Sequence, residues 1–414
     1  SKPKMNCLTL EVSKVLWVLV VFSSLSVLYV KASFKVSYFR SPVVKLLPGI
    51  ASNKYYPVDF PKEHLAVKNV FAEVVDGSGK SVPLTEAYLH HWVLERYYQR
   101  RGSYVSFASI LSILNAQEKG DILFSNMNGT CGGGDIVAYG SGSETRRTDY
   151  SLPDPYAVEV GNPNRVPYGY DEKWMLNVHI IDTRGVVDRL GCLECRCDLF
   201  NVTTGFDGKP LPIDYKGGLQ CCPDQKQCRL RQGFKKASRE LYLKYVVHSL
   251  KWRNSVLPVK TYSFDVTVSS SNAMDPRKSC QGKTEYQVNP CVGKEESEKC
   301  VDQVRKRVVM PAGGYVVLVF GHQHIGGLGT AMYGQDKRLM CVSKPVYGDG
   351  NKAGDEKGYV VGMSSCRPQP GTMNLQKNEI IQLESIYNSS TLHTGVMGLF
   401  GLIIADELPN GKRH

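Results

Sequence analysis

Beyond its first thirty residues the sequence has no apolar run long enough to cross a bilayer, so no transmembrane helix is expected in the rest of the chain. It has no internal repeat and no low-complexity tract, which sets aside solenoids and long disordered linkers. It also lacks any recognised nucleic-acid-binding module. Its 51 Lys and Arg outnumber 39 Asp and Glu to give a formal charge of +12, but they are scattered, a pattern suited to acidic cell-wall polysaccharide rather than nucleic acid. A hydrophobic content of 42% over 414 residues excludes a disordered chain and points to two domains with room for an insertion.

The opening segment is different. Lys2, Lys4 and Lys14 precede an apolar stretch from Val15 to Val30, broken only by serines, that ends near Ala32 and Ser33. Residues 1–33 read as a signal peptide, with a retained anchor as the alternative. A secreted, extracellular location (apoplast or secretory lumen) follows, with no stable membrane span after signal removal. Asn128-Gly-Thr, Asn201-Val-Thr and Asn388-Ser-Ser are N-glycosylation acceptors and agree with that route.

Of 13 cysteines, Cys7 leaves with the signal. The even remainder, Cys131, Cys192, Cys195, Cys197, Cys221, Cys222, Cys228, Cys280, Cys291, Cys300, Cys341 and Cys366, is expected to form disulfides in an oxidising compartment. Half of these crowd into Gly191–Gly233, which reads as a disulfide-stapled insertion. Zinc is the alternative there, but Cys-x-x-Cys-x-Cys followed by an adjacent pair lacks the two-knuckle spacing. Cys221 and Cys222 are expected to take different partners, because a vicinal bridge is strained.

Alternation rich in Val, Tyr and Phe recurs at Ala66–Val75, Tyr88–Tyr98, Trp174–Ile181, Val259–Ser269, Tyr315–Phe320 and Gly398–Ile404, with turns such as Asp76-Gly-Ser-Gly between. Short strands separated by turn chemistry predict an all-β chain of two jelly-roll-like β-sandwich domains with a cysteine-rich insertion. The first sandwich is placed at 34–185, the insertion and connector at 186–255, and the second sandwich at 256–410. The charged run Gly293–Arg307 reads as a helix or a solvated loop.

Five of nine histidines stand in informative contexts: His90-His91-Trp92, His179 in Trp174-Met-Leu-Asn-Val-His-Ile, and His322-Gln-His324. On a strand, residues i and i+2 share a face, so His322 and His324 can grip one ion. His90 and His91 face opposite sides unless the strand ends, twists or bulges there. A thioether suits Cu(I), and Met397 in Leu392-His-Thr-Gly-Val-Met-Gly is the candidate ligand, with Met363 its competitor.

In order, the His-His pair, the lone His, the His-x-His and the late Met resemble the copper type II, ascorbate-dependent monooxygenases that hydroxylate peptidylglycine and dopamine. The resemblance implies two mononuclear copper sites: an electron-transfer copper on His90, His91 and His179, and an oxygen-activating copper on His322, His324 and Met397, apart across a solvent-filled cleft. It implies oxidation of a substrate C–H bond with O2 and ascorbate or a similar donor. Ser385-Ile-Tyr-Asn-Ser-Ser-Thr-Leu-His-Thr-Gly-Val-Met carries the methionine assignment. Where the amidating enzymes place an Arg and then an Asn and Tyr for a peptide carboxylate, this chain has Phe320, Leu399 and Gly401, which implies a small, uncharged substrate. Copper binding without turnover is the competing class. Ser41-Pro-Val-Val-Lys-Leu-Leu-Pro-Gly, Asn53-Lys-Tyr-Tyr, Asp59-Phe-Pro and Leu89-His-His-Trp resemble the plant stress up-regulated nodulin proteins over nearly the whole mature chain.

Overall fold

The computed structural model describes residues 34–124, 137–205, 208–222, 228–270, 280–281, 283–291 and 300–414. The expected signal peptide, Asn128, Cys131 and the side chain of Cys280 lie outside the described residues.

The chain is mostly β, as its alternation requires. Ala51–Val58, Tyr170–Asp182 and Ala87–Arg100 run antiparallel in a five-stranded sheet that Ile122–Leu123 and Ala138–Ser141 complete. A ten-stranded sheet runs Lys35–Arg40, Arg239–Lys251, Leu65–Asp76, Tyr156–Val160, Leu257–Asp265, Leu399–Ala405, Gly314–His322, Ser365–Cys366, with Val44–Leu46 and Asn374–Leu375 beside it. A four-stranded sheet joins Val301–Val309, Ile380–Asn388, Gly327–Tyr333 and Leu339–Ser343.

Side chains two apart fill two cores. Val70, Val74, Leu243 and Tyr245 of the long sheet meet Leu89, Trp92, Leu176 and Val178 of the five-stranded one. Phe264, Phe400, Leu402 and Ile404 at its other end meet Met332, Ile381 and Leu383 of the four-stranded sheet. Each such buried side chain contributes about 1.5–3 kcal/mol relative to exposure. The two halves share the long sheet through one parallel contact, Leu257 beside Tyr156 and Pro258 beside Ala157.

Two segments sit differently from the sequence reading. Arg239–Lys251, inside the stretch 186–255 given to insertion and connector, hydrogen-bonds between Lys35–Arg40 and Leu65–Asp76, because its Leu241, Leu243, Tyr245 and Val247 share one apolar face. In the charged run read as helix or loop, Val301–Val309 is an edge strand on Ile380–Asn388, with Arg305 donating to Glu384 at 2.6 Å; residues 292–299 lie outside the described ones.

The disulfides follow the compositional reading. Cys192–Cys228, Cys195–Cys222 and Cys197–Cys221 are nested through the insertion, and Cys221 and Cys222 do take different partners. Cys291–Cys300 and Cys341–Cys366 staple the second half. Closing loops of this size stabilises a chain by about 2–4 kcal/mol each. Among the described residues no helix is long and apolar enough to cross a membrane.

One buried acid gives the fold a pH signature. Glu95, in Ala87–Arg100, is 3% exposed, and burial raises its carboxyl from 4.5 to about 8. The folded chain therefore keeps a proton that the unfolded chain has released, so this residue's contribution to stability is present below pH 4.5 and lost as pH rises through 8. The slope is about 1.4 kcal/mol per pH unit within that window. Glu95→Gln is expected to raise the melting temperature at pH 8 and barely change it at pH 4.5. A slope that survives the substitution would place the proton elsewhere.

Candidate metal centre

Adjacent histidines on a regular strand point to opposite faces. In Ala87–Arg100 the register to Tyr170–Asp182 slips between Leu89 and His91, so His90 is the extra residue of a β-bulge, the departure that lets both rings face one side. His91 then stands opposite His179 in register. The ring centroids of His90 and His179 are 4.6 Å apart, and those of His91 and His179 5.1 Å. Ligand atoms of His90, His91 and His179 all fall within 4.8 Å of one another.

His322 closes the strand Gly314–His322, and His324 follows two residues on, their rings 4.8 Å apart at nearly right angles. The intervening Gln323 turns away, donating to Ser385 Oγ and Ile386 O, both at 3.0 Å. The two halves of the chain bring both groups together: the rings of His90 and His324 are 4.3 Å apart. The solvent-filled cleft implied by the resemblance is therefore replaced by direct contact between imidazoles. The long shared sheet holds the two halves too close for a gap.

Hydrogen-bond partners fix which nitrogens face inward. His90 Nε2 lies 3.1 Å from the Gly395 carbonyl, which only accepts, so Nε2 carries the proton and Nδ1 is bare. His91 Nε2 lies 2.8 Å from Asn177 Oδ1. Asn177 spends its amide on Asn53 Oδ1 and Lys54 O, which leaves that oxygen to accept and His91 Nδ1 bare as well. These two bare nitrogens are 3.1 Å apart. Two lone pairs at that distance repel unless a cation joins them.

On the other side, His322 Nδ1 donates to Glu144 Oε1 at 2.6 Å, and Tyr88 Oη and His324 Nδ1 are 2.6 Å apart. Both rings thereby turn Nε2 inward, and neither Nε2 has a hydrogen-bond partner despite full burial. A carboxylate behind a histidine sets its tautomer and raises its basicity toward a metal. Burial pushes the Glu144 carboxyl up, but His322 and the hydroxyl of Ser141 outweigh it and hold it below its ordinary value. Burial, joined by repulsion from neighbouring histidines, holds His90, His179 and His324 well below 6.5, and burial pushes His91 down to about 4. Neutral imidazole is the form that binds a metal.

Met397 is buried, and its backbone adjoins that of His324. Tyr387 Oη donates to the Met397 carbonyl at 2.6 Å and accepts from the His324 backbone N–H at 2.8 Å, which places the two backbones as neighbours. Met363 is also buried, its N–H held by Thr148 Oγ1. Phe320 and Gly401 are opposite one another in register, and a Cβ on Gly401 would collide with the tip of the Phe320 ring, so the two residues form one packing pair. Asn201 is exposed, and Asn388 is half-buried with Oδ1 accepting from Ser390 N–H at 2.7 Å.

Several residues escaped the sequence reading. Glu144 sits in a turn with no metal motif, and Glu194 sits between cysteines that read as staples. Glu194, Cys195 and Cys222 also cluster with metal-ligand geometry, but the two sulfurs are joined in a disulfide, which leaves only the carboxylate as a donor. The acid within Cys192-Leu-Glu-Cys195 was the available signal.

Fold and site together define a disulfide-stapled, mostly β protein with a buried polyhistidine centre. The chain belongs to the family described as Stress up-regulated Nod 19, whose model matches residues 32–407. No curated protein matches it. Two solved structures, the subviral particle of VP2 from infectious bursal disease virus and the Gx strain of that virus, are each 11% identical with a TM-score of 0.18. The alignments cover 90% of this chain and 72% and 73% of theirs, and at that TM-score they carry no argument.

Proposed function

We propose that the chain is a secreted copper protein in which His90, His91 and His179 hold one copper and His322, His324 and Met397 a second. The observation that carries metal binding is the pair of bare Nδ1 atoms on His90 and His91, 3.1 Å apart, with His90 fully buried and His91 half-buried. An imidazole-rich donor set suits copper over calcium or magnesium, and a thioether adds preference for Cu(I). Bound there, copper supplies one-electron chemistry and activation of O2.

The finer reading is an oxidoreductase of monooxygenase type, taking O2, ascorbate or a similar donor, and a small uncharged substrate. The chain's own residues contribute position: Glu144 holds the His322 tautomer, Tyr88 and Tyr387 hold the His324 ring and backbone, and the His90–His324 contact supplies a path between the two ligand groups. Copper binding without turnover is favoured by the burial of His90, His179, His322 and His324, with His91 alone of the five half-buried. The excess of Lys and Arg over Asp and Glu, which persists without the expected signal peptide, supports retention on acidic cell-wall polysaccharide.

Elemental analysis after copper reconstitution is expected to find two coppers per chain, falling to about one in His91→Ala and in His322→Ala. Ascorbate-dependent oxygen uptake that rises with a substrate, and is lost in Met397→Ile with the first copper retained, marks turnover. Two bound coppers without such uptake mark the carrier. Wild-type protein that takes up no copper removes both readings.

A further inference from the structure

The cysteine-rich insertion reaches the histidine centre with one side chain. Glu194 lies between Cys192 and Cys195, is fully buried, and places Oε2 at 3.5 Å from His179 Nε2 and 3.7 Å from His90 Nε2. Both distances exceed a direct hydrogen bond, and on His90 the nitrogen approached is the one that donates to the Gly395 carbonyl, not the bare Nδ1. Its other oxygen is spoken for: Oε1 accepts from the Cys195 N–H at 3.0 Å and lies 3.3 Å from Cys222 Sγ, so the Cys195–Cys222 disulfide fixes where the carboxylate stands. The opposite wall is equally tight. Gly395, whose carbonyl receives His90 Nε2–H, has φ +63°, and a Cβ there would collide with the Glu194 side chain. Only glycine adopts that backbone without strain while leaving room for the acid.

We infer that Glu194 is a positioning residue for the first copper site: one buried carboxylate, delivered by the disulfide-stapled insertion, stands beside the Nε2 atoms of both His90 and His179. This rests on the reading of His90, His91 and His179 as copper ligands. A carboxylate charge this close to two ligating histidines raises the basicity of both rings without a direct hydrogen bond to either. A negative charge close to two ligands also favours Cu(II) over Cu(I), because the more highly charged ion gains more from it. It further explains why a segment with so few apolar residues is stapled three times: without the bridges, nothing would hold an acid against two imidazoles in a dry site.

The test compares Glu194→Gln with wild type in the full-length, copper-loaded protein. Glutamine keeps the volume and an oxygen for the Cys195 N–H, so the insertion should fold as before. Copper content at equilibrium, the electron paramagnetic resonance spectrum of the Cu(II) form and the reduction potential of the first site are read with His322→Ala as background, which isolates that site. The expected result is at least tenfold weaker Cu(II) binding, a changed Cu(II) spectrum, and a potential raised by about 59 mV for each tenfold loss of Cu(II) over Cu(I) preference. Glu194→Asp, which keeps the charge, should recover part of the potential. If Glu194→Gln matches wild type in affinity, spectrum and potential while wild type holds copper at the first site, the acid only packs and the inference fails alone. If His91→Ala leaves the copper of that site in place, the ligand reading itself is wrong and the inference falls with it.

Discussion

Gly142→Val is expected to destabilise the chain by about 3 kcal/mol or more and to abolish copper uptake at both groups of histidines. Gly142 precedes the short turn Ser143–Arg146 and lies between the two ligand groups. A Cβ there would press on the His90 carbonyl oxygen, stand 2.8 Å from His322 Cε1 and 3.2 Å from Glu144 Oε2. The first of these is backbone in a bulge, and the second is a ring held by a buried acid, so neither can yield cheaply. Overpacking a filled interior costs about 1–3 kcal/mol, and more when the neighbours are fixed. Urea unfolding and copper content together read the effect. Even Gly142→Ala carries the offending atom, and an alanine variant within about 0.5 kcal/mol of wild type, inside the range of a neutral surface change, would mean that the centre is looser than its contacts indicate.

Glu144→Ala should follow closely, at about 3–5 kcal/mol with a 10–100-fold loss of copper affinity at His322 and His324. Its carboxylate accepts from His322 Nδ1 at 2.6 Å, Ser141 Oγ at 2.9 Å and the Gly142 N–H at 3.1 Å, all within a buried pocket. Removal takes the acceptor from His322 Nδ1 and from the Gly142 N–H, leaves Ser141 Oγ with Tyr150 Oη at 2.7 Å, and frees the His322 ring to rotate. Because the folded-state pKa of Glu144 is depressed, its contribution is fully present above its ordinary value of 4.5 and is lost as pH falls through the lower, folded value. Glu144→Gln keeps the shape and an acceptor, so it should cost less at neutral pH and remove this residue's share of the acid limb. Equal losses in the two variants across pH would assign the effect to volume, not charge.

How much of this was legible in the sequence depends on the reach of each signal. Strands were readable because alternation is local: Phe400, Leu402 and Ile404 announce a half-buried strand from their own spacing. The pairing of Cys221 and Cys222 with separate partners followed from the strain of a vicinal bridge. The condition for His90 and His91 to act together, a bulge, was also stateable in advance, and the bulge falls at that pair. What lay out of reach was long-range. Arg239–Lys251 joins the first core through pairing with strands far upstream, and nothing local distinguishes that from a connector. The same holds for Glu144, which meets His322 only because Ser143–Arg146 folds under the second half, and for Glu194, whose neighbours in sequence all signal disulfides. The contact between His90 and His324 is likewise a property of the shared sheet, invisible to spacing.

The most direct test of the metal centre is anomalous scattering at the copper edge from crystals of the protein grown with copper. The expected result is strong density bounded by the Nδ1 atoms of His90 and His91 and by His179, with a second peak at the inward Nε2 atoms of His322 and His324. Crystals that take copper only at surface histidines such as His414, with the five clustered imidazoles packed as they are and no peak among them, would contradict the assignment of this cluster as a metal site.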